Sequence, residues 1–358
     1  MAQRFHLRSL VAVPGAHSYS QTHMLEDFSA RIGRLPDAGA VLDKAKTIYG
    51  NSDVDTRHLE LSIEELDKRR DQSGWHPIAK DAIMSLGRRA IEQALSEGTA
   101  ASECDALVVV ASNYDGFPGP SRRLAEAMGF RRDVLFFDLA TLGCGGANHG
   151  IQLAQLLLES GRCKTVCLVS AEILGTHIQV RRYRALPSVS QIVAHVLPSD
   201  GAAAMIFSRE AGPRSLLSYG SLRFDLRSWP GSNEYMVAGT SNDGEPFGSL
   251  DKNIRTRLLD ESADLLTPEA IAEPMFIHGG GTALLRRVAE AVPQLSASAE
   301  LSAAVLRENG NMSAPTVLHV LARALRERMP VAPRFRLLAF GPGVYSTLLA
   351  FEDVAVTS

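Results

Sequence analysis

Cysteine is scarce in this chain. Only Cys104, Cys144, Cys163 and Cys167 occur in 358 residues. None forms a C-x-x-C pair and none joins histidines at zinc-site spacing, so a metal centre is not expected. So few thiols in so long a chain also exclude a disulfide framework. Long apolar runs are absent too: nothing approaches the roughly 20 residues a membrane-spanning helix needs. The opening MAQRFHLRSLVAVPGAHSYS has a short apolar patch but lacks the basic, apolar and cleavage regions of a secretory leader, so a cytoplasmic protein is expected. An excess of charge of one sign is missing as well. The net charge of -3 gives no ground for binding nucleic acid or a membrane surface.

What remains is an ordinary soluble composition, 45% hydrophobic and 22% charged, long enough for one large domain or two fused halves. Strand-like and helix-like runs alternate, the mark of an α/β fold. DALVVVAS (105–112), DVLFFDLA (133–140) and KTVCLVSAE (164–172) read as strands buried on both faces, and PSRRLAEAMGF reads as a helix. A helix is expected from the Cys144 turn to about Leu158, and SDGAAAMIFS (199–208) turns into a further strand. The second half repeats this grammar. PMFIH (274–278) leads through three glycines into a helix; NGNMSAPTVLHVLARALRERM turns into another; FRLLAF (335–340), a Gly-Pro-Gly turn and VYSTLLAFEDV follow. A weak internal duplication is inferred. Residues 1–100 are expected to supply extra helices and an arm, with HLELSIEELDKRRDQSG a solvated helix, and the Gly, Ser and Asn content of 213–260 suggests a loop layer.

Cys144 lies among glycines where an apolar run gives way to a helix (LATLGCGGANHGIQLAQ). The unpaired N–H groups of a helix start would lower its pKa, and the glycines would admit a substrate carbonyl. On that segment alone a buried structural thiol is as good a reading. His278, at the end of a strand beside GGG, can point into the crevice of an α/β sheet or be a hydrogen-bonded structural histidine. Asn311, in ENGNMSAPTVL, can be a turn and cap residue or an amide donor to an oxyanion. Of the other histidines, His319 suits packing, while His149, His177 and His195 could each line a pocket. Cys163 and Cys167 read as core and Cys104 as loop surface.

Taken in order, LGCGG, IHGGGTALL, LRENGNMSAPTVLHVL and LLAFGPGVYSTLLAF, supported by DTRHLEL and SDGAAAMIF, resemble the type III polyketide synthases (chalcone and stilbene synthases and their bacterial relatives) of the thiolase-like superfamily. The resemblance is broad from about residue 40 onward. It implies a thiolase-like α/β fold of two duplicated βαβαβαββ halves in five α-β-α-β-α layers, residues 1–210 carrying the nucleophile and 211–358 carrying the histidine and asparagine. It implies a homodimer, no cofactor, and acyl-CoA and malonyl-CoA as substrates, with an acyl carrier protein as the other conceivable donor. Cys144 would accept a starter acyl group; His278 and Asn311 would stabilise the enolate formed when malonyl-CoA loses carbon dioxide. Ser112, His177, Pro198, Ser313 and position 342 (Pro342 of the Gly-Pro-Gly turn) would line the pocket, with Lys44, Lys46 and Arg57 near the coenzyme A entrance.

The chain departs from the family in three places. Pro198 and Ser199 stand in HVLPSDG where Phe-Gly-Asp-Gly is usual, His177 stands where a small pocket residue is usual, and Gly145-Gly146-Ala147-Asn148 follows the cysteine where an aromatic or alanine followed by glycines is usual. The lost phenylalanine favours a second reading: acyl transfer from Cys144 to an alcohol, amine or second acyl chain without decarboxylation.

Overall fold

The computed structural model describes residues 3–72, 75–114, 116–175, 186–240, 246–251 and 254–357. A seven-stranded sheet runs in the order 355–356, 217–219, 5–14, 201–208, 165–172, 106–110, 135–139. Strand Ala106–Val110 pairs in parallel with both Leu135–Leu139 and Thr165–Glu172, and Gly201–Ser208 is antiparallel to Thr165–Glu172 and to Phe5–Pro14. A four-stranded sheet has the order 275–277, 335–341, 345–352, 221–228, its first pair parallel and the others antiparallel. One parallel pair followed by two antiparallel neighbours is thus common to both sheets, which is the duplication seen in the sequence.

Helices Gly146–Glu159 and Pro315–Arg326 lie between the two sheets. One apolar core joins Ala147, Ile151 and Leu158 of the first and Val317, Leu318 and Leu321 of the second to strands of both sheets. Helix Trp75–Ser96 covers the outer face of the larger sheet through Ile83, Leu86 and Ile91. Ile254–Ser262 and Thr282–Ala291 cover the smaller one through Leu258, Leu284 and Val288. The result is five layers, α-β-α-β-α, with the middle layer apolar on both sides. A fourth cluster ties the helices Gln21–Ile32, Gly39–Gly50, Ile63–Gln72 and Val189–Val196 together at one end.

Four expectations change. Phe5–Pro14 is not an arm but an inner strand of the larger sheet. The 213–260 region contains strand Ser221–Ser228 at the edge of the smaller sheet; Leu222 and Phe224, alternating with polar residues, pack on the core as suits an edge strand with one face buried, while Leu226 is exposed. Within HLELSIEELDKRRDQSG, residues 58–59 belong to a strand, and Ile63 and Leu66 are buried at the start of the helix. Cys104 is fully buried beneath Trp75–Ser96 rather than on a surface loop. Cys163, Cys167 and His319 are core residues as expected.

Candidate active site

The C-terminal ends of the parallel strands converge, which is where open α/β sheets place their ligand crevice. Cys144 lies in the short helical turn Gly143–Gly145 after Leu135–Leu139, directly before helix Gly146–Glu159. Ser112 follows Ala106–Val110. Its hydroxyl donates to Glu172 Oε1 at 2.8 Å and accepts from the Gly143 N–H at 3.0 Å. The seryl side chain therefore bolts the Cys144 turn to the end of the neighbouring strand. Gly143 has φ +54, and a Cβ there would lie 2.6 Å from the Pro342 ring, so backbone and space both require glycine.

From the second half comes the start of helix Pro315–Arg326. Ser313, held at φ +61, points its hydroxyl at Cys144 Sγ, 3.5 Å away. A serine in the left-handed region is strained, and the strain is spent on a contact with the thiol. Asn311 Oδ1 accepts from the Ser313 N–H at 2.8 Å, and Asn311 Nδ2 donates to Gly280 O at 3.2 Å. His278 directly follows strand Met275–Ile277, is 2% exposed, and its ring lies against Gly280, where a Cβ would be 3.3 Å from Nε2. One hydrogen-bonded path thus links Cys144, Ser313, Asn311 and the peptide beneath His278. His278 Nδ1 is buried without a hydrogen-bond partner among the described residues.

Electrostatics differ from the lowered thiol pKa expected at a helix start. Burial pushes the Cys144 thiol up to about 11, against the opposing pull of the Ser313 hydroxyl, with Glu172 adding like-charge repulsion. Burial alone brings His278 down to about 4. Desolvation outweighs the partial charge of the helix start, and both groups rest neutral. Glu172, itself raised to about 8 by burial, has one unpartnered buried oxygen; nothing in the sequence singled it out, although its place at the end of a buried strand is a signal.

Pro198 and Asn311 form a parallel bridge: Asn311 N–H donates to Leu197 O and Ser199 N–H to Asn311 O, both at 2.8 Å. The buried Ser199 hydroxyl accepts from His58 N–H and fills space that Gly310 leaves open. Arg57 is misplaced by the sequence reading. It is 0% exposed, and its guanidinium donates to the carbonyls of His195 (2.7 Å), Val196 (2.8 Å) and Pro198, so it clamps the segment that holds Asn311 rather than meeting a phosphate. Arg57→Met strands those carbonyls. We expect a loss of about 3 kcal/mol or more in urea unfolding; a loss within experimental error would mean that the clamp does not hold the segment. Lys44 and Lys46 are exposed on helix Gly39–Gly50, Lys46 beside Asp43 at 3.3 Å. His177 lies outside the described residues. Among the described residues no group of three His, Cys, Asp or Glu side chains could hold a metal ion, and no helix is long and apolar enough to cross a membrane.

This geometry has close counterparts. Residues 10–211 match the family described as chalcone and stilbene synthases, N-terminal domain. Type III polyketide synthase 21 of Oryza sativa subsp. japonica is 27% identical over 330 residues, covering 86% of this chain and 84% of that one. Germicidin synthase from Streptomyces coelicolor, a type III polyketide synthase, superposes at TM-score 0.82 with 19% identity over 98% of this chain and 100% of its own. CsyB complexed with CoA-SH superposes at 0.82 with 17% identity and the same coverage. The chain belongs to the chalcone and stilbene synthase family, the type III polyketide synthases, which are condensing enzymes of polyketide biosynthesis.

Proposed function

We propose that the chain loads an acyl-CoA starter on Cys144 and extends it by decarboxylative condensation with malonyl-CoA. The observation that carries this reading is the hydrogen-bonded path from Cys144 through Ser313 and Asn311 to the Gly280 peptide under His278. Cys144 Sγ attacks the starter carbonyl; the bond to the coenzyme A sulfur breaks and the thiol proton leaves on coenzyme A. Neutral His278 is the group suited to carry that proton. In the second step the malonyl C–C bond to its carboxylate breaks, and the electron pair moves into an enolate. The thioester oxygen that becomes negative accepts hydrogen bonds from His278 and from the second amide hydrogen of Asn311, the first being used by Gly280 O. The enolate carbon then attacks the acyl-cysteine, and the Cys144 sulfur leaves. No cofactor takes part; coenzyme A thioesters are the substrates, with a carrier protein the alternative donor. CsyB has been crystallised with coenzyme A, which favours the former.

Incubating the purified protein with acyl-CoA thioesters, with and without malonyl-CoA, tests this. Intact mass should show one acyl group, lost in Cys144→Ala, and carbon dioxide release should depend on malonyl-CoA. Acylation across the panel without release would overturn the condensing role in favour of acyl transfer to another acceptor.

The working unit is proposed as a homodimer. Leu135–Leu139 is the outermost strand of the larger sheet, and Leu135, Phe136 and nearby Phe117 are 36%, 50% and 98% exposed. An open apolar edge is stable when a second copy pairs with it about a two-fold axis. Light scattering should give twice the chain mass, and Phe136→Asp should shift it toward monomer. A monomeric wild type at micromolar concentration would refute this assembly. All four cysteines are free, which suits a reducing compartment, and we place the enzyme in the cytoplasm.

A further inference from the structure

Gly145 follows the nucleophile with φ -82 and ψ -5, a backbone that any residue adopts. Dihedral freedom therefore does not explain the glycine. Space does: a Cβ at 145 would lie 2.6 Å from the Tyr345 ring and its hydroxyl, and the same ring presses still closer on Gly341. Tyr345 comes from the second half, four residues after Gly341 in the Gly-Pro-Gly turn. Its ring is wedged between two positions stripped of side chains, and its hydroxyl donates to Leu142 O at the entry to the Cys144 turn. The wedge is backed. His149, on the first turn of helix Gly146–Glu159, stands edge-on to Tyr345 with ring centroids 5.6 Å apart and to Phe224 at 5.1 Å, and its Nδ1 reaches Gly145 O at 3.1 Å. The turn carrying Tyr345 is pinned from outside by the Ser232 hydroxyl on Gly343 O and the Trp229 N–H on Val344 O, with the Arg257 guanidinium 4.1 Å over the Trp229 ring.

We infer that Tyr345 is a positioning residue for the nucleophile: it locks the Leu142–Gly145 turn from the opposite half, and Gly145 is kept without a side chain to admit it. This rests on Cys144 being the acylated residue. The lock acts at the reacting atom, because misplacing a nucleophile by a fraction of an ångström slows attack far more than it weakens substrate binding. Tyr345→Phe keeps the ring and removes the bond to Leu142 O; acylation of Cys144 should slow about tenfold with the KM for acyl-CoA unchanged. Gly145→Ala should slow it at least as much. The double variant Gly145→Ala/Tyr345→Ala should be faster than Gly145→Ala alone, since the small side chain gains the space the ring gives up.

The decisive experiment is single-turnover acylation by butyryl-CoA, read by intact mass, on these variants, with iodoacetamide alkylation of Cys144 in parallel. Slowed acylation at unchanged KM in Tyr345→Phe, with rescue in the double variant, supports the lock. A wild-type rate in Tyr345→Phe, or strictly additive losses in the double variant, overturns it. If the wild-type chain takes no acyl group, the proposed function fails; the alkylation rates then still test the lock, which requires Gly145→Ala and Tyr345→Phe each to change the rate at Cys144 and the double variant to move it back.

Discussion

Alkylation of Cys144 by iodoacetamide is expected to climb about tenfold per pH unit from about pH 6 to about pH 10, with no plateau in between. Only the thiolate reacts. A thiol pushed up to about 11 holds about one part in 10⁴ as thiolate at pH 7, and raising the pH titrates it in. A preformed thiolate–imidazolium pair would instead be fully reactive above about pH 5 and flat beyond, so the two cases differ by three to four orders of magnitude near neutrality. Glu172 sharpens the test. Its carboxyl, raised to about 8, ionises within this range and opposes the thiolate, so Glu172→Gln should move the alkylation curve to lower pH. A plateau below pH 8 would overturn the neutral pair. If the curve rises as expected, the nucleophile is made on demand: Cys144 and His278 both rest neutral near pH 7, and the thiol proton moves only as a thioester carbonyl arrives.

The sequence exposed the parts of this site that are local. Cys144 and His278 each stand in a turn between an apolar run and a helical pattern, and Asn311 in a Gly-Asn turn before one; the structure places the first two between a strand and a helix and Asn311 between the helices Ser296–Asn309 and Pro315–Arg326. The duplication was legible because both halves repeat the same order of elements. What stayed hidden depends on register and depth. Glu172 meets Ser112 only because strands 60 residues apart pair in parallel with their ends level. Arg57 was read as an entrance residue because the resemblance puts it there, and arginine is seldom buried unless paired; here its Nε and Nη1 donate to three carbonyls of one bent segment in place of an anion, and Nη2 is buried without a hydrogen-bond partner among the described residues. Tyr345 was hidden for another reason. Its partner is the absence of a side chain at 145, and an absence acquires meaning only when the ring that fills it is known. The first strand was missed because Phe5–Pro14 alternates incompletely and both its sheet neighbours, Gly201–Ser208 and Leu217–Tyr219, lie far from it in the chain.

His278→Ala and Asn311→Ala are each expected to cut malonyl-dependent carbon dioxide release by 10²–10³-fold, the usual cost of one donor to a developing oxyanion. Asn311→Ala should spare the first step, single-turnover acylation of Cys144, to within about tenfold, because the enolate forms only after loading. The two losses should not add. Asn311 Nδ2 holds the Gly280 carbonyl, and the His278 ring rests on the same residue, so removing the amide also frees the peptide that orients the imidazole. Taking out either member therefore disables part of the other, and the double variant should release carbon dioxide about as slowly as the worse single one. Asn311→Asp separates donation from bulk: it keeps the size, removes both amide hydrogens and sets a carboxylate against the Gly280 carbonyl, so it should be no better than alanine. Radiometric carbon dioxide release and intact-mass acylation, run on the same variants, read the two steps independently. Independent, multiplicative losses in the double variant would break the link through Gly280. Equal losses in both steps for Asn311→Ala would show the amide acting on the thiol itself through Ser313, which touches Sγ, rather than on the enolate.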